Sequence, residues 1–108
     1  MKDSINVLFV CGYGVGSSAM SAGIVSKALT NKSVRNVVDH TSAGETAGRA
    51  DWADIIAVSK QFIGIVNSEI YPDKHVIEVK NIMDGNTISD QIIEIVKVEY
   101  PGAMMDKE

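Results

Sequence analysis

The residue with the clearest chemical potential in this sequence is Cys11, the only cysteine in the chain. It follows an apolar run and begins a loop with glycines at alternate positions, Gly12, Gly14 and Gly16. Because glycine reaches positive φ at little steric cost, such a loop turns tightly and points successive N–H groups into one concavity. A helix that starts there adds the positive end of its dipole, so the loop predicts a phosphate site.

The same field acts on a thiol at the rim of the loop. A cysteine at a helix N-terminus has a depressed pKa, so Cys11 is expected to favour the thiolate, which is the nucleophilic form. A nucleophilic sulfur beside a phosphate cradle predicts phosphoryl transfer through sulfur. We therefore predict Cys11 as the catalytic residue and the following phosphate-binding residues: Gly12, Tyr13, Gly14, Val15, Gly16, Ser17 and Ser18.

Three other interpretations of this loop stay open. Cys11 is a small core residue, as a lone buried cysteine usually is, or the glycines serve an ordinary tight turn. The third is a nucleotide-binding module, because a variant of the dinucleotide fingerprint, G-x-G-x-x-A, is present and Asp39 lies downstream. The matching residues are Gly14-Val15-Gly16-Ser17-Ser18-Ala19. The phosphoryl interpretation is favoured because it uses Cys11 as well as the glycines.

Length and composition narrow the class of protein. With 108 residues and 45% hydrophobic content, the chain suggests a single domain over residues 1–102 with a flexible tail at 103–108. A full dinucleotide fold needs a longer chain. The net charge of −4 argues against nucleic acid. A lone cysteine favours a reducing compartment, and no apolar run is long enough for a membrane helix, so we expect a cytoplasmic protein.

Short apolar runs alternate with helical stripes along the chain. This order predicts an α/β three-layer sandwich: a four-stranded parallel open sheet with helices on both faces. Ligands bind at the carboxyl ends of the strands in such sheets, which is where Cys11 falls. The predicted strands are 5–10, 34–40, 54–59 and 75–80, the predicted helices are 17–30, 62–70 and 87–100, and residues 41–51 form a short helix or an irregular crossover.

The predicted helices carry N-terminal capping signals. Ser17 or Ser18 suits the N-cap of the first helix, because a hydroxyl there accepts from a free N–H group. Thr87 and Asp90 resemble a capping box at the start of the last helix, with aspartate in place of the usual glutamate. Pro101 ends that helix.

Residues 10–18 resemble the phosphocysteine loop of enzyme IIB components of the bacterial phosphoenolpyruvate-dependent sugar phosphotransferase system. The resemblance is to the ascorbate and galactitol group, and it extends to residues 53–59 and 79–84. It implies that Cys11 accepts a phosphoryl group from a phosphohistidine on a IIA partner. Cys11 would then pass the group to a sugar held by the membrane-embedded IIC partner. Ser59-Lys60 and Lys80-Asn81 look more ascorbate-like than galactitol-like. The fold implied is flavodoxin- or Rossmann-like, with a phosphatase-like P-loop.

The loop is also similar to that of low-molecular-weight protein tyrosine phosphatases, which leaves a phosphatase-like hydrolase as an alternative. Those enzymes carry arginine six residues after the cysteine, where this chain has Ser17. Without a guanidinium fork on the phosphoryl oxygens, rapid hydrolysis is not expected. Arg49 could in principle reach the loop from the second crossover. The hydroxyls of Ser17 and Ser18 either donate to phosphate oxygens or serve only as caps.

Other polar and aromatic residues give weaker signals. His40 ends the second predicted strand and His75 begins the fourth, and either is a conceivable phospho-acceptor, although histidines there are usually surface residues. Tyr13 is expected to be exposed, where it contacts a partner or covers the cradle. No close set of metal-type ligands is present, so we predict neither a metal nor another cofactor.

Overall fold

The computed structural model describes residues 4–10, 15–64, 66, 69–81 and 83–104. Four strands form one parallel sheet in the order β2-β1-β3-β4. This confirms the predicted four-stranded parallel open sheet. The strands are β1 (Ile5–Val10), β2 (Asn36–Thr41), β3 (Ile55–Ser59) and β4 (His75–Val79).

Later strands are added on both sides of β1, so the order of the strands reverses there. The chain first moves outward from β1 to β2, then crosses back to β3 on the other side of β1 and continues to β4. Strand β1 is therefore internal, and its residues from Val7 to Val10 are fully buried. The carboxyl ends of β1 and β3 flank the point of reversal, which is where open α/β sheets form a crevice for ligands.

Alternate residues of the strands enter two separate cores. Val7 and Phe9 of β1 face the first core, which the two α-helices cover. Leu8 and Val10 face the second core on the opposite side of the sheet. Both sets are buried because internal parallel strands are covered on both faces, which explains the nearly continuous apolar run in the sequence.

Two α-helices cover the first face: α1 (Val15–Asn31) and α2 (Gly85–Glu99). Helix α1 ends in a Schellman motif around Ser33, whose φ is 66°. The N–H of Val34 donates to the carbonyl oxygen of Leu29 at 2.9 Å, and the N–H of Ser33 donates to that of Thr30 at 3.1 Å. Val34 and Leu29 are both buried, so the residues of this motif also pack into the first core.

The N-caps differ from the sequence prediction. Helix α1 begins at Val15, so Ser17 and Ser18 lie inside its first turn and neither is the N-cap. Asp84, not Thr87, caps α2, and its carboxylate accepts from the N–H and the Oγ1 of Thr87 at 3.1 and 2.8 Å. The prediction was wrong by one turn because Asp84-Gly85-Asn86 has the composition of a free turn but forms the start of the helix.

The second face is covered by short 3₁₀ helices. Ala43–Gly48 and Ala50–Trp52 resolve the uncertain crossover between β2 and β3 as short helix. The predicted helix at 62–70 is wrong in its described part, because Lys60–Phe62 is a 3₁₀ helix and residues 63, 64, 69 and 70 are turns. Gly64 lowers helix propensity there, and the apolar side chains of Phe62 and Val66 still pack on the second core.

The packed chain continues to Met104, two residues beyond the predicted domain boundary. A 3₁₀ helix, Pro101–Ala103, follows α2, and Ala103 is fully buried. Met104 then forms an antiparallel bridge with Val34, and Arg35 donates to the carbonyl oxygen of Ala103 from its backbone N–H at 2.8 Å. Residues 105–108 lie outside the described chain.

Candidate functional site

The predicted site lies between the end of β1 and the start of α1. Strand β1 ends at Val10, whose register partners are Thr41 on β2 and Val58 on β3. The predicted nucleophile Cys11 and the predicted loop residues Gly12, Tyr13 and Gly14 lie outside the described residues. Val10, the residue before them, ends an internal strand at the carboxyl edge of the sheet. The order of the strands reverses at this strand.

The other four predicted phosphate-binding residues form the first turn of α1. Their backbone is helical from Val15 onward, through Gly16, Ser17 and Ser18. The first N–H groups of an α-helix have no partner within the helix, so Val15, Gly16 and Ser17 present N–H groups that a phosphate would use, while the N–H of Ser18 is the first that can donate within the helix. The first turn contains no acidic side chain that would oppose the positive end of this 17-residue helix.

Arg49 is held on the second face of the sheet. Its guanidinium forms an ion pair with the carboxylate of Asp39 on β2. Asp39 is the register partner of Leu8, two residues before the end of β1. The pair is an exposed one, and it gives Asp39, the candidate ribose-binding acid of a nucleotide module, a partner within the chain. The structure therefore gives Arg49 a partner on β2.

The two histidines lie at different ends of the sheet. His75 begins β4 at the amino edge, and its ring packs edge-on against Tyr100 with centroids 5.8 Å apart. Burial, together with the charges of Asp54 and Glu99, raises the pKa of that tyrosine. As the first residue of β4, His75 lies at the amino edge of the sheet, opposite the carboxyl edge at which β1 ends. His40 is the residue before the last one of β2, is half-buried and pairs in register with Phe9.

The sequence reasoning assigned no role to the charged residues that follow β3 and β4. Lys60 comes directly after β3, and Lys80 comes directly after β4. Both side chains are exposed at the carboxyl edge of the sheet, the edge from which the Cys11 loop leaves β1. Each could have been found from the strand pattern, since a lysine that directly follows a buried strand lies at this edge.

A cleft of about 200 Å³ opens between β4 and the start of α2. Lys80, Asn81, Asp84 and Thr87 contribute polar groups to its lining. The hydrogen bonds from Thr87 hold the pKa of Asp84 below its ordinary value, with a smaller contribution from the charge of Lys32. Asp84 therefore stays ionised at neutral pH, and its charge is directed at the N-terminus of α2.

The described residues contain no group of three or more His, Cys, Asp or Glu side chains that could hold a metal ion. No helix among them has both the length and the apolar character needed to cross a bilayer.

Comparison with known proteins identifies the family. The sequence model of the family described as "PTS system, Lactose/Cellobiose specific IIB subunit" matches residues 6–94. The ascorbate-specific PTS system EIIB components of Shigella flexneri and Salmonella typhimurium (strain LT2) are each 28% identical over 98 residues, covering 91% of this chain and 95% of theirs. The solved lactose-specific IIB domain of Streptococcus pneumoniae has the same fold, with a TM-score of 0.67 and 17% identity, over 84% of this chain and 96% of that one.

The fold is that of a parallel α/β domain in which the order of the strands reverses at β1. The chain belongs to the IIB family of the phosphoenolpyruvate-dependent sugar phosphotransferase system. IIB components are phosphotransferases of sugar uptake and work together with IIA and IIC components. This confirms the resemblance seen in the loop sequence, although the matching family model carries a lactose and cellobiose description.

Proposed function

We propose that Cys11 is the residue that carries the phosphoryl group, and that residues 12–18 hold the phosphoryl oxygens. The observation that supports this most directly is the placement of the flanks. Strand β1 ends where the order of the strands reverses, and α1 begins at Val15 with three residues, Val15 to Ser17, whose N–H groups lack helical partners. A phosphoryl group on a thiolate between these two elements would accept hydrogen bonds from N–H groups at the start of α1.

The transfer consists of two displacements at phosphorus. In the first, the thiolate of Cys11 supplies the electron pair of a new S–P bond, and the P–N bond of the donor's phosphohistidine breaks. The imidazole nitrogen keeps that pair and takes up a proton. In the second, the oxygen of a sugar hydroxyl forms a new O–P bond and its proton leaves to solvent, while the S–P bond breaks and its electron pair returns to sulfur, which regenerates the thiolate. Such transfers depend mainly on positioning and charge stabilisation, which N–H groups and a helix terminus supply.

We assign the donor to a phosphorylated IIA protein and the acceptor to a sugar held by a membrane-embedded IIC protein. The IIB domain would then be peripheral to the membrane through that IIC partner. An ascorbate-like substrate is favoured because the relatives named for ascorbate match over almost their whole length. Transfer to ascorbate, galactitol and cellobiose, in membranes that contain each corresponding IIC protein, would distinguish the candidates. Transfer confined to another sugar would contradict the assignment.

The deciding test of the carrier role is the intact mass of the protein. The chain is incubated with phosphoenolpyruvate, the general phosphotransferase proteins and a IIA partner. We expect one added phosphoryl group on the wild type and none on Cys11→Ser. A phosphoryl group that persists in Cys11→Ser, for example on His40, would contradict the assignment.

We further propose that the domain is a carrier and not a hydrolase. Ser17 stands where the similar phosphatases carry arginine, and Arg49 is paired with Asp39 on the second face of the sheet. A hydroxyl donates one hydrogen bond and has no charge, so it stabilises a hydrolytic transition state poorly. Phosphocysteine should decay slowly in water and rapidly only with IIC and its sugar. Hydrolysis of p-nitrophenyl phosphate near one turnover per second, lost in Cys11→Ser, would instead indicate the phosphatase alternative.

A nucleotide-binding module is the remaining alternative, and it makes a different prediction. ATP or a dinucleotide should then raise the melting temperature by mass action. The carrier predicts no nucleotide effect and a modest rise with phosphate or sulfate. A thermal melting series with both classes of ligand separates the two.

A further inference from the structure

Two lysines occupy equivalent positions at the carboxyl edge of the sheet. The ladder between β3 and β4 pairs Ser59 with Val79. The residues that directly follow these two are Lys60 and Lys80. Both side chains are exposed. Neither forms a hydrogen bond or an ion pair within the part of the chain that the structure describes. Their ammonium groups are therefore available to an incoming anion.

Lys60 lies closer to the end of β1 than Lys80. Strand β3 is the direct neighbour of β1, and Val58, the register partner of Val10, precedes Lys60 by two residues. From the ordinary strand spacing and rise, the Cα atom of Lys60 lies about 8 Å from that of Val10, and the Cα atom of Lys80 about 12 Å. The four-carbon side chains of both lysines are flexible, so their ammonium groups can extend across the carboxyl edge of the sheet.

Four other described cations are held elsewhere. Lys32 donates to Asp90, and Lys74 donates to the carbonyl oxygen of Ala53, each at 2.8 Å. Arg35 donates to the carbonyl oxygen of Gly102 at 2.7 Å, and Arg49 pairs with Asp39. Two further lysines, Lys27 and Lys97, are exposed on the helices. Each lies twelve residues after the start of its helix, about 18 Å along the axis toward the other end of the sheet. They therefore contribute less than Lys60 to the field at the end of β1.

Acidic residues reduce the effect of Lys80 more than that of Lys60. Glu78 and Asp84 line the same cleft as Lys80. The carboxylate of Asp84 accepts two hydrogen bonds from Thr87 at the start of α2, so part of its charge is offset by the helix. No described carboxylate is paired with Lys60. The field at the crevice should therefore depend more strongly on Lys60.

We propose that Lys60 and Lys80 are positioning residues that create a positive field at Cys11 and recruit anions to it, the phosphoryl group of the donor protein among them. This inference rests on the proposed function. A phosphorylated histidine and a thiolate are both anionic, so they repel each other as they approach. Two cations beside the crevice lower that repulsion without contacting the reacting atoms, and such steering acts mainly on association.

The field can be measured at Cys11 without any partner protein. Iodoacetate is an anion and iodoacetamide is neutral, and both alkylate the same thiolate of the only cysteine in the chain. The ratio of their two rate constants therefore cancels any change in the pKa of the thiol and reports the local field alone. The test variant is Lys60→Gln with Lys80→Gln, and the control is Lys27→Gln with Lys97→Gln, which removes the same net charge.

At about 10 mM salt we expect the iodoacetate-to-iodoacetamide ratio to fall about threefold in the test variant. In the control variant it should change by less than about 1.5-fold, because those lysines are farther away. At about 1 M salt the difference should vanish, since the Debye length is then near 3 Å. Of the single variants, Lys60→Gln should have the larger effect. Equal ratios in the test and control variants, or a Cys11 that reacts with neither reagent, would overturn the proposal.

Phosphorylation by the donor gives a second, separate readout. With a phosphorylated IIA protein, the test variant should show a KM raised about tenfold at low salt with a nearly unchanged kcat, as expected for an electrostatic effect on association. A fall in kcat at unchanged KM would contradict the steering role. A wild type that is never phosphorylated, yet shows the expected alkylation ratios, would refute the proposed function while confirming the field of the two lysines.

Discussion

Gly85, the first residue of α2, lies directly against Ile24 of α1. A Cβ atom at position 85 would stand 2.5 Å from the Cγ2 atom of Ile24 and 3.3 Å from its carbonyl oxygen. The side chain of Ile24 is branched and cannot swing aside freely, and the carbonyl belongs to the helix backbone. The contact fixes how closely the start of α2 approaches α1, and both helices begin toward the edge that carries the predicted site.

Replacing this glycine should therefore destabilise the protein. We expect Gly85→Ala to lower the free energy of unfolding by about 1–3 kcal/mol through overpacking. Gly23→Ala is the matched control, because a Cβ atom there meets nothing within 4 Å. As an interior position of α1, it should gain about 0.5–1 kcal/mol. Urea unfolding measures both, and the loss at position 85 should shrink in an Ile24→Ala background. Equal effects of the two alanines would contradict the close approach.

Ser33 is the residue where glycine would fit the backbone better than the native side chain. Its φ of 66° lies in the left-handed region at the end of α1. Ser33→Gly should raise the free energy of unfolding by about 1 kcal/mol, because it removes the steric cost of a Cβ in this conformation. The control is Ser42→Gly, at a φ of −85° and with no capping hydrogen bond, which should be neutral or destabilising. A loss of stability in Ser33→Gly would contradict the Schellman geometry.

The N-cap of α2 should make stability depend on pH at the acidic end. Hydrogen bonds from Thr87 hold the pKa of Asp84 below its ordinary value in the folded protein. A lowered folded-state pKa contributes stability above the unfolded-state pKa, and that stability is lost as the pH falls through the folded value. Asp84→Ala should therefore be less stable than the wild type at neutral pH, by an amount that shrinks at about pH 2.5.

Urea midpoints of Asp84→Ala and the wild type at the two pH values test this expectation. Glu94→Ala, an exposed position in the interior of the same helix, serves as the control for removing a carboxylate that does not cap it. A stability gap for Asp84→Ala that stays constant over this range would show that the carboxylate charge plays no part in capping.

Arg49 should be dispensable for phosphoryl acceptance. Its ion pair with Asp39 is about 40% exposed on both sides, so it should contribute less than about 1 kcal/mol to stability. We expect Arg49→Gln to keep the rate of Cys11 phosphorylation within about twofold, because the charge of this guanidinium is offset by the carboxylate of Asp39. Lys60→Gln, which removes the same charge, should act more strongly in that assay. A tenfold loss in Arg49→Gln alone would show that this arginine moves into the crevice during transfer.

The sequence alone predicted the four-stranded parallel sheet that the structure shows, and it places the predicted nucleophile directly after the first strand. Runs of apolar residues as short and regular as residues 5–10 and 55–59 suit strands buried on both faces. The glycine-rich loop after the first run carries a strong local signal because it depends on backbone chemistry within a few residues. The β-α alternation then implied a parallel sheet, and the carboxyl-edge placement of Cys11 followed from it.

Only the tertiary structure decided which distant parts of the chain contact each other. Arg49 pairs with Asp39, Lys60 and Lys80 come side by side, and Met104 bridges to Val34. Sequence periodicity reports which face of an element is buried, but it carries no information about which partner a polar side chain meets. The order of strands sets those partners, since it depends on how the crossovers pack against both faces of the sheet at once.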